Sequence, residues 1–188
     1  MAVDGIVTIP GQNPAYGRPV CPLQYSQGMT IEVRRAVPVD ARGIAEVHVR
    51  AWQETYAHLV PAVALARLSI DQRERRWGEI LAPGGPANWV ATDGSIIVGF
   101  AGSSAARDND APRTLELQAI YLLASHHGGG GGQQLLDAAI GAAPAYLWVA
   151  GDNSRARAFY LRNGFVADGA EDTHVLAGTP VLAIRMVR

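Results

Sequence analysis

Residues 128–132 are five consecutive glycines, preceded by His126 and His127 and followed at once by Gln133, Gln134, Leu135 and Leu136. A strand-like run, Ile120-Tyr121-Leu122, leads towards them, and an apolar helical pattern leads away. Glycines between a strand and a helix let successive backbone N–H groups converge on one point, and the helix N-terminus adds about half a positive charge there. That combination holds a phosphate without a lysine, and the chain has no lysine: its 16 basic residues are all arginine. Two other phosphate loops are excluded. A P-loop needs Gly-Lys followed by Ser or Thr, whereas Gly132 is followed by Gln133. A dinucleotide-binding turn needs an acid on the next strand, about 20 residues past the glycines. The next apolar run, Tyr146 to Ala150, carries none, and Asp152 comes after its end. The two histidines invite a metal reading, but Cys21, His48, His58 and His174 form no zinc-ligand spacing with them, so no metal is expected.

The elements that must carry this loop read as mixed α/β. Ile31 to Ala36 is a strand, and Asp40 is placed as the N-cap of a first helix. Ile44, Val47, His48, Ala51, Trp52 and Thr55 follow at helical spacing, which puts His48 and Trp52 on the core face. A second helical region runs from Pro61 to about Leu81 and is stopped by Pro83-Gly84-Gly85-Pro86. Within it, Asp71 to Arg76 is mixed in charge and reads as a solvated face. Trp89–Thr92 and Ile96–Ala101 flank Asp93-Gly94, a hairpin signal. A long strand spans Thr114 to Leu122, a third helix Gly131 to Ala142, and a buried parallel strand Tyr146 to Ala150. A fourth helix spans Asn153 to Arg162, with Gly164 just past its end, and Phe165–Thr173 with Val181–Val187 closes as a hairpin. The fold class is α/β, a mixed central β-sheet with flanking helices.

At 188 residues one domain is expected, assigned to 30–188. Residues 1–29 carry Pro10, Pro14, Pro19 and Pro22 among several glycines and read as a poorly ordered extension. A formal net charge of −1 implies no bulk attraction to nucleic acid or to an anionic membrane. Cys21 is the single cysteine, so no disulfide framework exists, which fits a reducing cytoplasm. No apolar run approaches the roughly 20 residues of a membrane span, and no signal-peptide pattern opens the chain.

Over residues 31–188 the sequence resembles the GNAT superfamily of acetyl-CoA-dependent N-acetyltransferases. The family's signature is Gln or Arg, two residues, Gly, one residue, Gly or Ala; the corresponding stretch here is His127 to Gly132. Here His127 replaces the usual Arg or Gln, and Gly129 and Gly131 replace ordinary side chains. The more specific match is Asn153, Ala156, Phe159-Tyr160 and Gly164-Phe165, which resembles the family's Asn-x-x-Ala-x-x-Phe-Tyr helix ending in Gly-Phe. The resemblance implies a GNAT-like fold, acetyl-CoA as co-substrate and an amine acceptor of unidentified kind.

It also implies roles. Ile120, Tyr121 and Leu122 would offer backbone groups to the pantetheine arm; His127, Gly128, Gly129, Gly130, Gly131, Gly132 and Gln133 would hold the pyrophosphate. Asn153 would lie by the pantetheine arm, Tyr160 would protonate the departing thiolate, and Glu116 would take the amine's proton directly or through water. Trp52, Tyr56 and His58 would border the acceptor. From spacing alone, Tyr160 reads as a core tyrosine, a reading the resemblance reverses, while Glu116 is equally a solvent-facing strand residue and Asn153 equally an N-cap. The alternatives to an enzyme are a non-catalytic acetyl-CoA sensor or scaffold and a nucleotide-binding regulatory domain. A homodimer is the commonest assembly for such a chain.

Overall fold

The computed structural model describes residues 30–188, and the expectation for the first 29 residues lies outside them. Seven strands form one sheet in the order β1-β2-β3-β4-β5-β7-β6. They are β1 Ile31–Arg35, β2 Asn88–Asp93, β3 Ile96–Ala105, β4 Leu115–Leu122, β5 Tyr146–Ala150, β6 Val166–Leu176 and β7 Thr179–Val187. All neighbours run antiparallel except β4 and β5. Five helices flank the sheet: α1 Ala41–Tyr56, α2 Ala62–Ala66, α3 Ile70–Ile80, α4 Gly131–Ile140 and α5 Ser154–Arg162.

Most departures from the sequence reading have local causes. The second helical region is two helices, because Ser69 adopts an extended conformation and caps α3 by accepting the Gln72 N–H at 3.2 Å. Asp40 stands at the N-cap position of α1, but its side chain makes no capping hydrogen bond to the helix. Its carboxylate accepts both Arg34 Nη groups at 2.7 and 2.8 Å and the Val37 N–H at 2.8 Å, tying the end of β1 to the turn before the helix. The β2–β3 turn is Gly94-Ser95 rather than Asp93-Gly94, with Gly94 at φ 59°. The last hairpin is longer than expected, because Leu176 still pairs with Thr179 across a two-residue turn, Ala177-Gly178. That turn requires Ala177 at φ 49° and Gly178 at φ 83°.

One irregularity positions everything that follows. The β3–β4 register steps from Gly102↔Ala119 to Ser103↔Leu117, so Gln118 is an extra residue in β4. A bulge reverses which face later residues present. Leu117 and Ile120, three apart, therefore both pack into the cluster built on Leu136, Leu147 and Phe165. Beyond the bulge, Tyr121 turns to α1, with its ring stacked on His48 at 5.6 Å. Leu122 turns to α4, where a Cβ on Gly131 would lie 3.4 Å from its Cδ2.

Candidate active site

β4 and β5 are parallel neighbours at one Cα pair only, Glu116↔Tyr146. Beyond it the two strands diverge, and from Leu117 to Leu122 β4 stays paired with β3 while its β5-facing edge has no strand partner among the described residues. A cleft of about 620 Å³ opens there, lined by β4, the end of β5, the glycine loop, α5 and the end of α1. Unpaired backbone N–H and C=O groups along β4 are free to bond an extended ligand as an added strand would.

The glycine loop closes one end. Gly128 and Gly130 have φ of 85° and 82°, in the left-handed region, and Gly130 is the N-cap of α4. The first-turn N–H groups of α4 at Gly131, Gly132 and Gln133 have no intrahelical acceptor. His127, Gly128, Gly130, Gly132 and Gln133 line the cleft; Gly129 and Gly131 do not. Gly131 is buried against Ile31, whose Cγ2 a Cβ would approach to 3.2 Å, so its smallness lets α4 close on the sheet. His127 is held by its Nε2, 2.8 Å from the Leu122 carbonyl. A carbonyl only accepts, so Nε2 carries the proton, and burial lowers the pKa of the ring. Glu54 pins the same segment by accepting the Ala124 N–H at 2.9 Å.

Tyr160 is 7% exposed, lines the cleft, and has Phe159 and Phe165 edge-on at 5.5 and 5.8 Å. No hydrogen bond within the protein engages its hydroxyl. Burial, and then the charge a neighbouring Tyr56 would carry, raise its pKa, so it stays protonated. Asn153 caps α5, its Oδ1 accepting the Ala156 N–H at 3.0 Å, and it lines the cleft as well, so both readings of it coexist. Ile120, Tyr121 and Leu122 line the wall. Tyr121 and Tyr56 join hydroxyls at 3.0 Å, and burial raises both pKa values.

Glu116 is not brought to this cleft. It is 2% exposed, accepts Arg107 Nη2 at 2.5 Å and Nε at 3.0 Å, and accepts the Tyr146 hydroxyl at 3.1 Å. It is neither solvent-facing nor beside the reacting space, because it precedes the point where the strands part. Sequence reasoning also missed groups that line the cleft: Gln118, Trp148, Asp152 and Arg155. Arg155 follows the cap of α5, and its charge contributes to lowering the His127 pKa. Its place in Asn153-Ser-Arg was the available signal, since an arginine in a first helical turn works against the helix dipole. Among the described residues no cluster of three or more His, Cys, Asp or Glu side chains can hold a metal, and no helix is long and apolar enough to cross a membrane.

This geometry agrees with what the chain is similar to. The profile of the acetyltransferase (GNAT) family matches residues 45–165. A protein of Mycobacterium tuberculosis named a probable N-acetyltransferase is 27% identical over 144 residues, 74% of this chain and 82% of that protein. An uncharacterized N-acetyltransferase of Bacillus subtilis is 36% identical over 95 residues, 50% of this chain and 53% of the relative. Among solved structures, the PaiA N-acetyltransferase of Thermoplasma acidophilum in complex with coenzyme A shares the fold, with a TM-score of 0.60, 19% identity, and 83% and 98% of the two chains covered. So does yncA of Salmonella typhimurium with its cofactor acetyl-CoA, at a TM-score of 0.60, 19% identity and 84% and 92% coverage. The chain belongs to the acetyltransferase (GNAT) family and is a GNAT-type acetyltransferase.

Proposed function

We propose that the chain acetylates a primary amine by direct attack on acetyl-CoA seated between β4 and β5. The observation that carries this reading is one cleft lined by both the β5-facing edge of β4, which pairs with no strand, and Tyr160, whose hydroxyl bonds nothing in the protein, with a left-handed glycine cap at one end. The pantetheine arm pairs with Ile120, Tyr121 and Leu122, and one N–H there polarises the acetyl carbonyl as charge develops on its oxygen. The pyrophosphate rests on the first turn of α4, with Arg155 as the adjacent cation. His127 fixes the end of β4 rather than touching phosphate.

The amine nitrogen attacks the acetyl carbon, a C–N bond forms, and the C–S bond breaks. Tyr160 donates its proton to the departing thiolate. Desolvation raises the proton affinity of that thiolate just as it raises the pKa of the phenol, so the pair stays matched inside the cleft. The amine's own proton leaves on the acceptor side. With Glu116 committed to Arg107, we place this role on His58, which lines the cleft at the end of α1 and is exposed and free of hydrogen bonds within the protein. A cytoplasmic setting is consistent with the single Cys21.

The test is thiol release from acetyl-CoA across a panel of amines, run beside thermal melting with acetyl-CoA alone. Release with at least one amine is expected. Binding of acetyl-CoA with no release from any amine favours the sensor reading instead.

A further inference from the structure

Three arginines among the described residues are at least partly buried: Arg73, Arg185 and Arg188. Arg185 is paired with Asp168 at 2.8 Å and Asp110 at 3.0 Å. Arg188 donates to the carbonyls of Gly141 and Ala143 at 2.6 and 3.1 Å. Arg73 has neither an ion pair nor a hydrogen bond. The solvated face expected over Asp71 to Arg76 holds for Asp71 and Glu74, which Arg42 bridges, but not for Arg73. It lies three residues after Ile70 and four before Trp77, the side chains through which α3 joins the core, so the helical period turns it inward. Its guanidinium carbon sits 4.6 Å from the centroid of Trp52. Burial lowers its pKa below the ordinary arginine value, as desolvation does to a cation without an anion.

Two further donors surround the same spot without acceptors. Trp52 Nε1 is buried and nears the Tyr121 hydroxyl without a hydrogen bond. His48 receives the Trp77 Nε1–H on Nδ1 at 3.2 Å, so its proton is on Nε2, and nothing in the protein bonds Nε2. Burial takes the pKa of His48 down to about 3, helped by the Arg73 charge, so the imidazole stays neutral. Tyr121 stacks on His48 and, with Tyr56, forms the cleft wall next to this cluster. The cluster is on the α1 face of β4, while the glycine loop is carried by α4 on the opposite face. It is therefore not placed for the cofactor's phosphates.

We infer that Arg73 is the anchor for a carboxylate on the acceptor, whose amine reaches past Tyr56 and Tyr121 to the acetyl group. The substrate class is thus an amino acid or another amine bearing a carboxylate. A planar guanidinium matches a carboxylate in two parallel hydrogen bonds. One cation among aromatic rings balances a monoanion, whereas a phosphate dianion leaves a charge uncompensated. This inference rests on the acetyl-transfer reading above.

The test uses three acids against their decarboxylated amines: β-alanine and ethylamine, 6-aminohexanoate and pentylamine, L-phenylalanine and phenethylamine. At least one acid should exceed its amine about 10-fold in kcat/KM. Arg73→Gln should erase that preference by raising KM with kcat nearly kept, and Arg73→Lys should retain part of it. Equal or better use of every amine, or a preference that survives Arg73→Gln in protein with wild-type melting, overturns the inference. Calorimetric titration of the three acids into CoA-saturated protein reads the site without turnover. Binding that Arg73→Gln weakens about 10-fold or more supports the anchor even if no amine is acetylated, in which case the acetyl-transfer reading fails alone. No binding of any acid, with acetyl-CoA still raising the melting temperature, removes the anchor and leaves acetyl transfer standing.

Discussion

Glu116 and Tyr146 are the one residue pair at which β4 and β5 meet as neighbours, and their side chains join there at 3.1 Å. Arg107 closes the group by gripping the Glu116 carboxylate and by donating its backbone N–H to the Tyr146 oxygen at 3.3 Å. The tie sits where the two strands begin to diverge, so it sets where the cleft opens.

Glu116→Gln should therefore act on stability rather than on proton transfer. It weakens charge-assisted bonds to an arginine that is 65% exposed, which limits the cost to about 1–2 kcal/mol. Urea denaturation should show that loss, and the pH–rate profile should keep its shape. His58→Ala should instead change the profile while leaving the urea midpoint unmoved. A profile altered in Glu116→Gln and unaltered in His58→Ala would return the base to Glu116.

Tyr160→Phe keeps the ring that packs against Phe159 and Phe165 and removes a hydroxyl that bonds nothing in the protein. Folding and acetyl-CoA affinity should persist. kcat should fall about 100- to 10,000-fold, the usual contribution of a general acid. An unchanged kcat would make Tyr160 a packing residue, with solvent supplying the proton.

The glycines of the loop should separate by position. Gly130→Ala forces a Cβ into φ 82°, costing about 1–2 kcal/mol, and should reduce the acetyl-CoA-induced rise in melting temperature. Gly129→Ala has only the His126 carbonyl near, at 3.8 Å, and does not line the cleft, so it should bind acetyl-CoA as the wild type does. Equal binding by both variants would remove the left-handed cap from the site.

Ala177 is the one non-glycine residue with positive φ among those described, in the tight turn of the last hairpin. Ala177→Gly should relieve about 1 kcal/mol of strain, partly offset by the greater freedom of glycine in the unfolded chain. Thermal melting should show a small rise. A fall would mean that the methyl group's contact with the Tyr56 and Val60 cluster outweighs the strain.

Asp40 should make stability acid-dependent. Its hydrogen bond from Arg34 chiefly, with the Val37 N–H, holds its pKa below the carboxylate value of 3.8, against a desolvation that raises it. A depressed folded pKa contributes stability that is present above the unfolded value and lost as pH falls through the folded one. Arg34 is 48% exposed, so the contribution is about 1 kcal/mol. Asp40→Asn should therefore flatten the fall in urea midpoint as pH drops from about 5 to about 2. Parallel curves for variant and wild type would assign the acid sensitivity to another carboxylate.

Much of the fold and part of the site are decided locally and can be read along the chain. The glycine loop, the cap at Asn153 and the Phe159-Tyr160 pair depend on residues within a turn or two of one another, and backbone preference and helical period suffice to place them. What sequence distance misjudged was direction. Glu116 is at the expected distance before the loop, yet the extra residue at Gln118 reverses the pleat after it, so Glu116 and the cleft wall do not share one alternation. Arg73 sits in a run of charges that looks solvated, and only the packing of α3 on α1 reveals that one of them is turned over Trp52. Gly131 looks like one more flexible link and is instead a contact point with Ile31. A bulge, a half-buried cation and a close approach all depend on which distant element arrives opposite a residue. Tertiary structure decides that, because local preference carries no information about what lies across a sheet or between two helices.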